Sequence, residues 1–529
     1  MVARGVDRLS ELPDDLLRRV LHYAPLREAA STTALSRRWR APLWRCSGAL
    51  NLETGKLRTC YDNPRFFTQR DCFVAAAEAA LDAADVPVRR LTLRLDSDLH
   101  QRMGDIDNWY RDRAHDKVVS RYTGLVDVAL SHGAARRGVE ELRIVANPKS
   151  DYLYTRDHTG LFTVTLDSLQ LETIRVLDLT HCKGLLGTHL ALPRLSSLRL
   201  SHCSQHLRSL QQAIDAAPAL AAIRLETVLI DATDKEAKHG TTRHLRCPAA
   251  TLLVLDSCKW EEESQSCNRF VYNYETTVPV QAVEIHAPRL RRFRYKGQLR
   301  SFSFSAQPPE LEQVDLDFSG RGNNGNSKDP ERDLATFWRF ARSFTSTKEL
   351  RLRVNHLEDI AVLSEARRAE LLPAFRRLEH LEVQGVDSTK GKAAAMAILN
   401  MLRCCPMLAA LRINLTAEKK ADSSNKKGVP DTRTPQKEIQ IAALAQCHLF
   451  QCLQSSLVRV ALQFQLEKSN CLGVKLIKFF AENSIVLEEM YIDGGDENLC
   501  KHMNPKTEKW NSKRRKSGAT SFVVLPLER

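Results

Sequence analysis

The sequence lacks the long apolar runs that would place a helix in a membrane. No stretch approaches the roughly 18–20 consecutive apolar residues that a bilayer requires, and the longest runs are interrupted by Arg or Asp. The first residues, MVARGVDRLSELPDDLL, also lack the apolar core of a secretory signal peptide. We therefore expect a soluble protein that is not secreted and that resides in the cytoplasm, the nucleus or both.

Cysteine pairs with the CxxC spacing are also absent. The 14 cysteines are scattered and include no CxxC pair. Such cysteines in an intracellular chain are expected to be reduced thiols, buried as small hydrophobic side chains. An alternative metal site made by His181, Cys182, His202 and Cys203 lacks a close CxxC or HxxxH pair. We therefore predict no metal site.

Catalytic and cofactor-binding motifs are missing in the same way. The chain has no GxSxG, HExxH or GxxxxGK[ST] segment. Gly320, Gly322 and Gly325 form a GxGxxG, but a dinucleotide site requires the next helix to begin inside that loop. Here the helix is predicted to begin later, with Asp329 as its cap and Pro330 at its first position. We therefore predict a surface loop, no cofactor and no enzymatic activity.

What the chain does have is length and clustered positive charge. Its 529 residues exceed the size of a single core, which indicates several domains or a repeat array. The net charge of +14 includes basic clusters at 289–300 and 501–516, which favour an acidic partner. Nucleic-acid binding would need exposed aromatic residues among the basic ones, and only Phe293 and Tyr295 qualify, both at inward positions. The tail segment KWNSKRRKSG is either a nuclear-import signal or a solvated terminal loop.

The first fifty residues are predicted to form three short helices. Pro13 suits the first turn of a helix whose apolar residues share one arc. Pro25 ends this helix, residues 28–39 form the next, and Leu43 and Trp44 extend a third turn. So short a segment cannot bury all its apolar side chains alone. The surplus is either a partner-binding surface or packs on the rest of the chain.

The run LPDDLLRRVLHYAPLREAASTTALSRRWRAPLW, within this segment, resembles the F-box motif. Both Leu-Pro and Pro-Leu pairs, the acidic turn and the Leu-Ser-Arg-Arg-Trp-Arg ending carry the resemblance. It implies docking on the Skp-family adaptor and cullin core of an SCF ubiquitin ligase. The contact residues that it implies are Leu12, Pro13, Leu16, Leu17, Val20, Pro25, Leu26, Leu35, Ser36, Trp39 and Trp44.

A strand phrase of the form Leu-x-x-Leu-x-Leu recurs twelve times in the remaining residues. Central positions are separated by 21 residues from Leu177 to Leu198, 25 from there to Ile223 and 30 from there to Leu253. Helical spacers lie at 209–218 and 393–406. This recurrence predicts an α/β repeat fold, a small three-helix F-box followed by an irregular leucine-rich-repeat solenoid. An ordinary α/β domain is the alternative. The phrases are ELRIV, IRVLDLTHC, LSSLRLSHC, LAAIRLETV, TLLVLDSC, LRRFRYKG, LEQVDLDFS, KELRLRV, LEHLEV, LAALRI, LVRVAL and LEEMYI.

The C-terminal half carries a second resemblance. The segments IHAPRLRRFRYKG, CCPMLAALRINL and IKFFAENSIVLEEMYI, with the ending KRRKSGATSFVVLPL, resemble plant F-box proteins with leucine-rich repeats and an FBD region. The predicted domains are an F-box at 1–50, a linker with the first degenerate repeats at 51–140, leucine-rich repeats at 141–415, a disordered insertion at 416–438, and FBD-like repeats with a basic tail at 439–529.

Residues between the two core positions of each strand should face outward from the repeat sheet. Many are arginines, which suit carboxylate and phosphate groups. We predict that an acidic or phosphorylated protein substrate binds there, although these charges could instead only keep the sheet soluble. The chain would then be a ubiquitin-ligase adaptor or, alternatively, a scaffold or sensor without a role in degradation. The candidate residues are Arg199, Arg224, Arg292, Arg294, Lys296 and Arg351.

Overall fold

The computed structural model describes most of the chain, in two compact units. Residues 1–241 with 245–278 form the first unit, and residues 242–244 with 279–529 form the second. The described residues are 12–34, 39, 43–57, 64–97, 132–133, 138–148, 162–163, 171–183, 191–231, 243–261, 283–299, 302–318, 330–387, 391–417, 450–464, 472–493, 497–516 and 523–526. The GxGxxG loop, the proposed contacts Leu35 and Ser36, and nearly all of the 416–438 insertion lie outside them.

The first unit begins with two short helices, α1 (Asp14–Leu21) and α2 (Leu26–Ser31). Pro13 and Pro25 occupy the N-cap positions, with φ of −56° and −54°. Both angles are close to helical values, so each proline sets the entry into its helix. The expectation that the second helix starts at residue 28 is therefore wrong, because Pro25 initiates it directly after the turn that ends α1.

Helix α2 is also shorter than predicted. The hydroxyl groups of Ser31, Thr32 and Thr33 donate to the carbonyl oxygens three residues earlier, at 2.7–2.8 Å. Such bonds compete with regular helical pairing, and the chain tightens into a 3₁₀ turn at Thr32–Ala34. A second 3₁₀ turn, Leu43–Cys46, stands where the third helix was predicted. The described residues thus contain N-terminal helices but no third α-helix in this segment.

A parallel sheet of seven strands forms the centre of the first unit, in the order β1-β2-β3-β5-β7-β9-β12. Every strand phrase predicted in this range is a strand, and β2 lies within the range assigned to a linker with the first degenerate repeats. Strand β1 was not predicted. The strands are β1 (Ala49–Leu57), β2 (Arg90–Ser97), β3 (Glu141–Pro148), β5 (Val176–Thr180), β7 (Ser197–Ser201), β9 (Ala222–Glu226) and β12 (Leu252–Asp256).

A second layer of short parallel strands follows the main strands. The chain leaves β5, β7, β9 and β12 through one residue in the left-handed region: His181, His202, Thr227 and Ser257, with φ of 52–58°. The first three donate their N–H to the end of the next main strand at 2.6–2.9 Å. Each turn therefore extends the main ladder by one bond before the second layer begins. That layer consists of β4 (Phe162–Thr163), β6 (Cys182–Lys183), β8 (Ser204–His206), β10 (Leu229–Asp231) and β13 (Lys259–Glu261).

Cysteines occupy the position after three of these turns, as predicted for stacked core residues. Cys182 and Cys203 are 0% and 2% exposed, and the Cys203 thiol donates to the Leu179 carbonyl oxygen at 3.3 Å. The Cys258 thiol donates to the Leu225 carbonyl oxygen at 3.3 Å. Burial raises the pKa of Cys258 to about 12. The Cys258 thiol is therefore protonated, and the buried side chains of Cys182 and Cys203 pack as small hydrophobic groups.

The second unit is built on a parallel sheet of eight strands, in the order β15-β17-β18-β19-β20-β21-β22-β23. All the predicted phrases of this half form its strands, and β23 is additional. The strands are β15 (Arg292–Lys296), β17 (Gln313–Asp317), β18 (Glu349–His356), β19 (His380–Asp387), β20 (Ala410–Ala417), β21 (Arg459–Gln463), β22 (Glu489–Asp493) and β23 (Val523–Pro526). The short strand β11 (Arg243–Arg246) lies at the boundary of the two ranges, and β14 (Val283–His286) pairs with β16 (Phe302–Phe304).

Helices cover the buried side of each sheet. In the second unit, Trp338 and Met401 line a small apolar cavity together with Leu350 and Leu352 of β18. Phe293 is 2% exposed and stacks on Phe344, with ring centroids 5.4 Å apart. The inward position predicted for Phe293 is therefore confirmed. The helices are α3 (Pro64–Asp82), α4 (Leu207–Asp215), α5 (Pro330–Arg342), α6 (Glu365–Leu371), α7 (Gly391–Cys404), α8 (Gln451–Ser455), α9 (Leu472–Asn483) and α10 (Glu497–Lys516).

The basic tail forms helix α10, and the expectation of a solvated terminal loop is wrong there. Trp510 is 8% and Arg514 6% exposed. The Arg514 guanidinium donates to the carbonyl oxygens of Ala481 at 3.2 Å and Ile485 at 3.0 Å, and also to that of Ser484. These carbonyls lie at the C-terminal end of α9, where a helix leaves acceptors unsatisfied and favours positive charge. One arginine of the KRRK segment is thus a helix cap.

No helix in the described ranges is both long enough and apolar enough to cross a membrane.

Candidate partner-binding surfaces

An exposed apolar strip is made by Leu16 and Val20 of helix α1 and by Tyr23 of the turn that follows the helix. Their side chains are 41%, 51% and 64% exposed. The separation of four residues places Leu16 and Val20 on one face of the helix. On the adjacent side of the same apolar arc, Leu17 and Leu21 are 0% and 3% exposed. Only part of the apolar arc of this helix therefore packs against the chain.

The strip is unusual among the described residues. Six large hydrophobic side chains are exposed in that part of the molecule, and three of them lie within these eight residues. Scattered single exposures need no explanation, whereas an apolar cluster of this kind marks an interaction surface. Pro13, at the start of the same helix, is exposed as well.

The predicted adaptor contacts divide into two groups. Pro13, Leu16 and Val20 are exposed, and Pro25 and Leu26 are half-buried. Leu17 and Trp39 instead lie inside the N-terminal core, at 0% and 4% exposure. In this structure they support the surface and do not form it, because their side chains are buried in the N-terminal core. That core consists of Leu17, Leu21, Ala29, Trp39 and Leu43, with Leu12, Ala24 and Trp44 packed partly against it.

The helical segment is fixed to the first strand of the sheet by Asn51. This residue of β1 is 9% exposed, and its amide nitrogen donates to the carbonyl oxygens of His22 at 3.0 Å and Ala24 at 2.9 Å. The Arg90 guanidinium also lies 4.7 Å from the centre of the Tyr23 ring, a cation–π distance. The turn after α1 is therefore held in one orientation on the outer face of β1 and β2.

The outer face of the first-unit sheet carries charges of both signs. Arg199 donates to Glu226 at 2.7 Å, and Arg224 is half-buried in the adjacent strand. Burial raises the pKa of Asp178 even though Arg199 and its neighbours Arg143 and Arg224 favour the charged carboxylate. At least one of the predicted substrate-binding arginines, Arg199, is therefore already paired with an acid of the chain itself.

The second unit repeats the pattern on its own sheet. Arg294 lies 3.7 Å from Asp315, and Arg351 lies 2.8 Å from Glu349 and 3.6 Å from Glu382. An incoming carboxylate or phosphate must therefore replace an internal carboxylate at Arg294 and Arg351.

The remaining candidates, Arg292 and Lys296, lie on β15 beside Arg294. Arg292 is exposed and forms no ion pair within the residues that the structure describes, whereas Lys296 is half-buried. The strand thus presents three cations on one face, because its intervening residues, Phe293 and Tyr295, point into the core. This is the most basic stretch of the predicted surface.

Sequence reasoning missed two of the acids that pair with these arginines, Glu226 and Glu349. It considered the central outward residue of each strand and the two cations beside Arg294, whereas Glu226 and Glu349 lie two residues from Arg224 and Arg351 on the same face. Their period of two was a usable signal. Glu284 lies in β14, which pairs with β16 outside the main sheet.

The suggested His/Cys metal set does not converge in the structure. The rings of His181 and His202 stack in parallel, with centroids 4.8 Å apart and an interplanar angle of 11°. Burial and the neighbouring His202 lower the pKa of His181 to about 4. No group of three or more possible ligands from His, Cys, Asp and Glu occurs in the described ranges.

Comparison with known proteins identifies the N-terminal segment. The family model described as the F-box domain matches residues 9–41, which include the apolar strip of α1 up to Val20 and Tyr23. Separately, a protein of Arabidopsis thaliana described as a putative FBD-associated F-box protein is 45% identical over 59 residues, covering 11% of this chain and 31% of the relative.

Other relatives extend along nearly the whole chain. One F-box/FBD/LRR-repeat protein of Arabidopsis thaliana is 21% identical over 98% of this chain and 99% of its own length. A second protein of that description from the same plant is 24% identical over 92% of each chain. The chain thus carries an F-box domain at its N-terminus and has homologues named for F-box, FBD and leucine-rich-repeat regions.

Proposed function

We propose that this chain, with its N-terminal F-box domain, is the non-catalytic substrate-recognition adaptor of an SCF-type ubiquitin ligase. In this proposal the helices α1 and α2 dock on a Skp-family adaptor. The remaining residues form an irregular leucine-rich-repeat solenoid that binds a protein substrate, acidic or phosphorylated, through its outward arginines. We propose a cytoplasmic or nuclear location, where such a ligase acts.

The observation that carries the docking step is the exposed strip of Leu16, Val20 and Tyr23. Burying an exposed aliphatic side chain contributes roughly 1.5–3 kcal/mol, so a protein without a partner gains nothing by keeping three together in solvent. Leu17 and Leu21 anchor the adjacent side of the same helix in the N-terminal core. The strip is therefore presented rigidly, which lowers the entropic cost of binding.

Support for the repeat architecture comes from the recurrence of strand and register. Consecutive main-sheet strands, 21 to 51 residues apart, pair in parallel with the buried apolar positions aligned, as at Leu177 and Leu198 or Leu91 and Leu142. One repeat buries its apolar face only by stacking on the next.

The contribution of such an adaptor is proximity. Holding a substrate near the ligase core raises the effective concentration of its lysines at the conjugating enzyme, without chemistry by the adaptor itself. Asn51 is important here, because a fixed joint between the docking helices and the sheet limits how widely a bound substrate can swing.

The decisive experiment measures binding of purified Skp-family adaptor to the full chain and to a Leu16→Asp, Val20→Asp double variant. Leu17 is left intact because it is a core residue whose substitution would unfold the segment. Each substitution removes an interface contact of more than about 1 kcal/mol and adds a charge that is costly to bury. We expect the affinity to fall about 100-fold or more.

The matched control is Arg18→Asp, which places the same charge on α1 away from the strip and should keep wild-type affinity. Equal binding by the double variant, or failure of the folded wild-type chain to bind, would contradict the docking proposal. The half-life of a bound substrate then distinguishes an adaptor from a scaffold. If the wild-type chain binds a substrate without shortening its half-life, the chain acts as a scaffold.

A further inference from the structure

A shallow depression lies on the outer face of the second-unit sheet. Its volume is about 360 Å³, and its lining residues come from β18 to β22. Five adjacent strands at a spacing of roughly 4.8 Å give it a length of about 19 Å. That length matches five to six residues of extended chain at about 3.3 Å each. It is too long and too shallow to enclose a small molecule as ligand pockets do.

The depression exists because two outward positions carry small side chains. Ala410 of β20 and Ala461 of β21 stand where neighbouring strands place Arg, Glu or His. The strand register sets Ala410 beside Arg459, and Arg412 beside Ala461. Each alanine therefore leaves an opening next to an arginine, and a peptide backbone can approach the sheet at that opening.

The charged groups around the depression are satisfied except for one. Arg459 donates to Glu489 at 2.9 Å, and the Tyr491 hydroxyl donates to the same carboxylate at 3.2 Å. Glu382 lies beside Arg412 in the strand register, but its carboxylate turns to Arg351, 3.6 Å away. The acids that line the depression are therefore already engaged by other partners.

Arg412 is the remaining cation. Its side chain is exposed and forms no hydrogen bond or ion pair with any residue that the structure describes. An arginine projecting from an otherwise paired surface offers a carboxylate two parallel N–H donors without displacing an internal acid. This distinguishes Arg412 from Arg294 and Arg351, where such displacement is required.

We propose that this depression binds an extended acidic peptide of the protein substrate, with an Asp or Glu side chain on Arg412 and a small or apolar residue over Ala461. The inference rests on the proposed function, which requires a substrate-binding surface. It assigns that surface to residues other than the five arginines and Lys296 that were named as candidates from the sequence. Arg459 and Tyr491, fixed by Glu489, form one end of the site.

The test uses the full chain and a phage library of random heptapeptides as the probe. Peptides selected on the wild-type chain are expected to share an Asp or Glu, and replacement of that residue by Gln should abolish the selection advantage. Loss of a bidentate arginine–carboxylate contact, worth about 1.5–3 kcal/mol, corresponds to roughly a 10- to 100-fold weaker Kd. We expect that loss for Arg412→Glu, and a similar loss for Ala461→Arg, which fills the opening.

Two further variants sharpen the test. Arg376→Glu makes the same charge change at an exposed turn residue that does not line the depression, and should leave peptide binding unchanged. Glu382→Gln removes the acid nearest in register and should strengthen binding. The proposal is overturned if selected peptides lack an acid, if they bind Arg412→Glu as well as the wild type, or if no peptide is selected.

Two measurements distinguish a failure of peptide binding from a failure of adaptor docking and from self-association of the chain. The Skp-family adaptor should bind Arg412→Glu and the wild-type chain equally, so a failure of adaptor docking is seen independently of peptide binding. Sedimentation of the wild-type chain should show a monomer. A dimer that Ala461→Arg dissociates would assign the depression to a second copy and overturn the peptide proposal.

Discussion

Replacing Arg514 by Met should loosen the junction between α9 and α10. The guanidinium donates to four carbonyl oxygens, those of Ala481, Ser484, Ile485 and Leu487. A hydrogen bond that involves a charged group contributes roughly 1.5–3 kcal/mol. Desolvation of the buried cation, which also lowers the pKa of Arg514, offsets part of this sum. We therefore expect a net loss of about 3 kcal/mol of local stability.

The measurement is amide hydrogen exchange of the peptides that cover α9 and α10, because a chain with two compact units need not unfold in one step. A loss of about 3 kcal/mol corresponds to exchange roughly 100-fold faster through local opening. Arg514→Lys keeps the charge but not the planar fork, so its effect should be intermediate. Lys513→Met, at the exposed neighbouring residue, is the matched control and should exchange like the wild type. Exchange of Arg514→Met within threefold of the wild type would refute the capping role.

Three further predictions concern other contacts. Asn51→Ala removes two hydrogen bonds, lowers the stability of the contact between the turn after α1 and strand β1 by about 1–3 kcal/mol, and should accelerate amide exchange in α1. Unchanged amide exchange in α1 would show that Asn51 does not hold the helical segment on the sheet. The folded pKa of His181, about 4, lies below its unfolded value near 6.5, so its contribution to stability is present above about pH 6.5 and is lost as the pH falls toward 4. His181→Asn, which tolerates the positive φ, should show a smaller fall in Tm over that window, and an equal fall would contradict this assignment. A Cβ on Gly473 would lie 2.4 Å from the Phe464 ring, so Gly473→Ala should lower the unfolding free energy by about 1–3 kcal/mol. Urea titrations measure this loss, and a Phe464→Leu background should restore the stability. A Gly473→Ala variant as stable as the wild type would show that the ring moves freely.

The repeated leucines made most main-sheet strands predictable, because buried residues at a period of two specify both strand and face. Most residues of β1 were assigned to the linker. The alternation of apolar and polar residues in this strand is short, because the polar segment ETGK follows it within the same strand. The second-layer strands have two or three residues each, too few for any period. They follow left-handed turns at His181 and the equivalent positions, which the strand pattern alone does not single out.

The candidate surfaces were predictable only in outline. The motif named contact residues, but not that Leu17 and Trp39 face inward, because the core that buries them forms only when several short helical elements pack together. The outward arginines were found by periodicity, whereas their ion pairs depend on side chains from adjacent strands. The free guanidinium of Arg412 follows from Glu382 turning to Arg351, a rotamer choice that no sequence pattern encodes.

The strand register has a consequence for how such a chain can diversify. Leu177, Leu198, Ile223 and Leu253 lie side by side in the sheet although 21, 25 and 30 residues separate them. The differences are absorbed between strands, where loop length costs little free energy. Insertions and deletions can therefore accumulate between strands while the order of outward side chains stays unchanged. Point substitutions at outward positions then alter specificity separately from length, so the two kinds of mutation act on independent properties of the molecule.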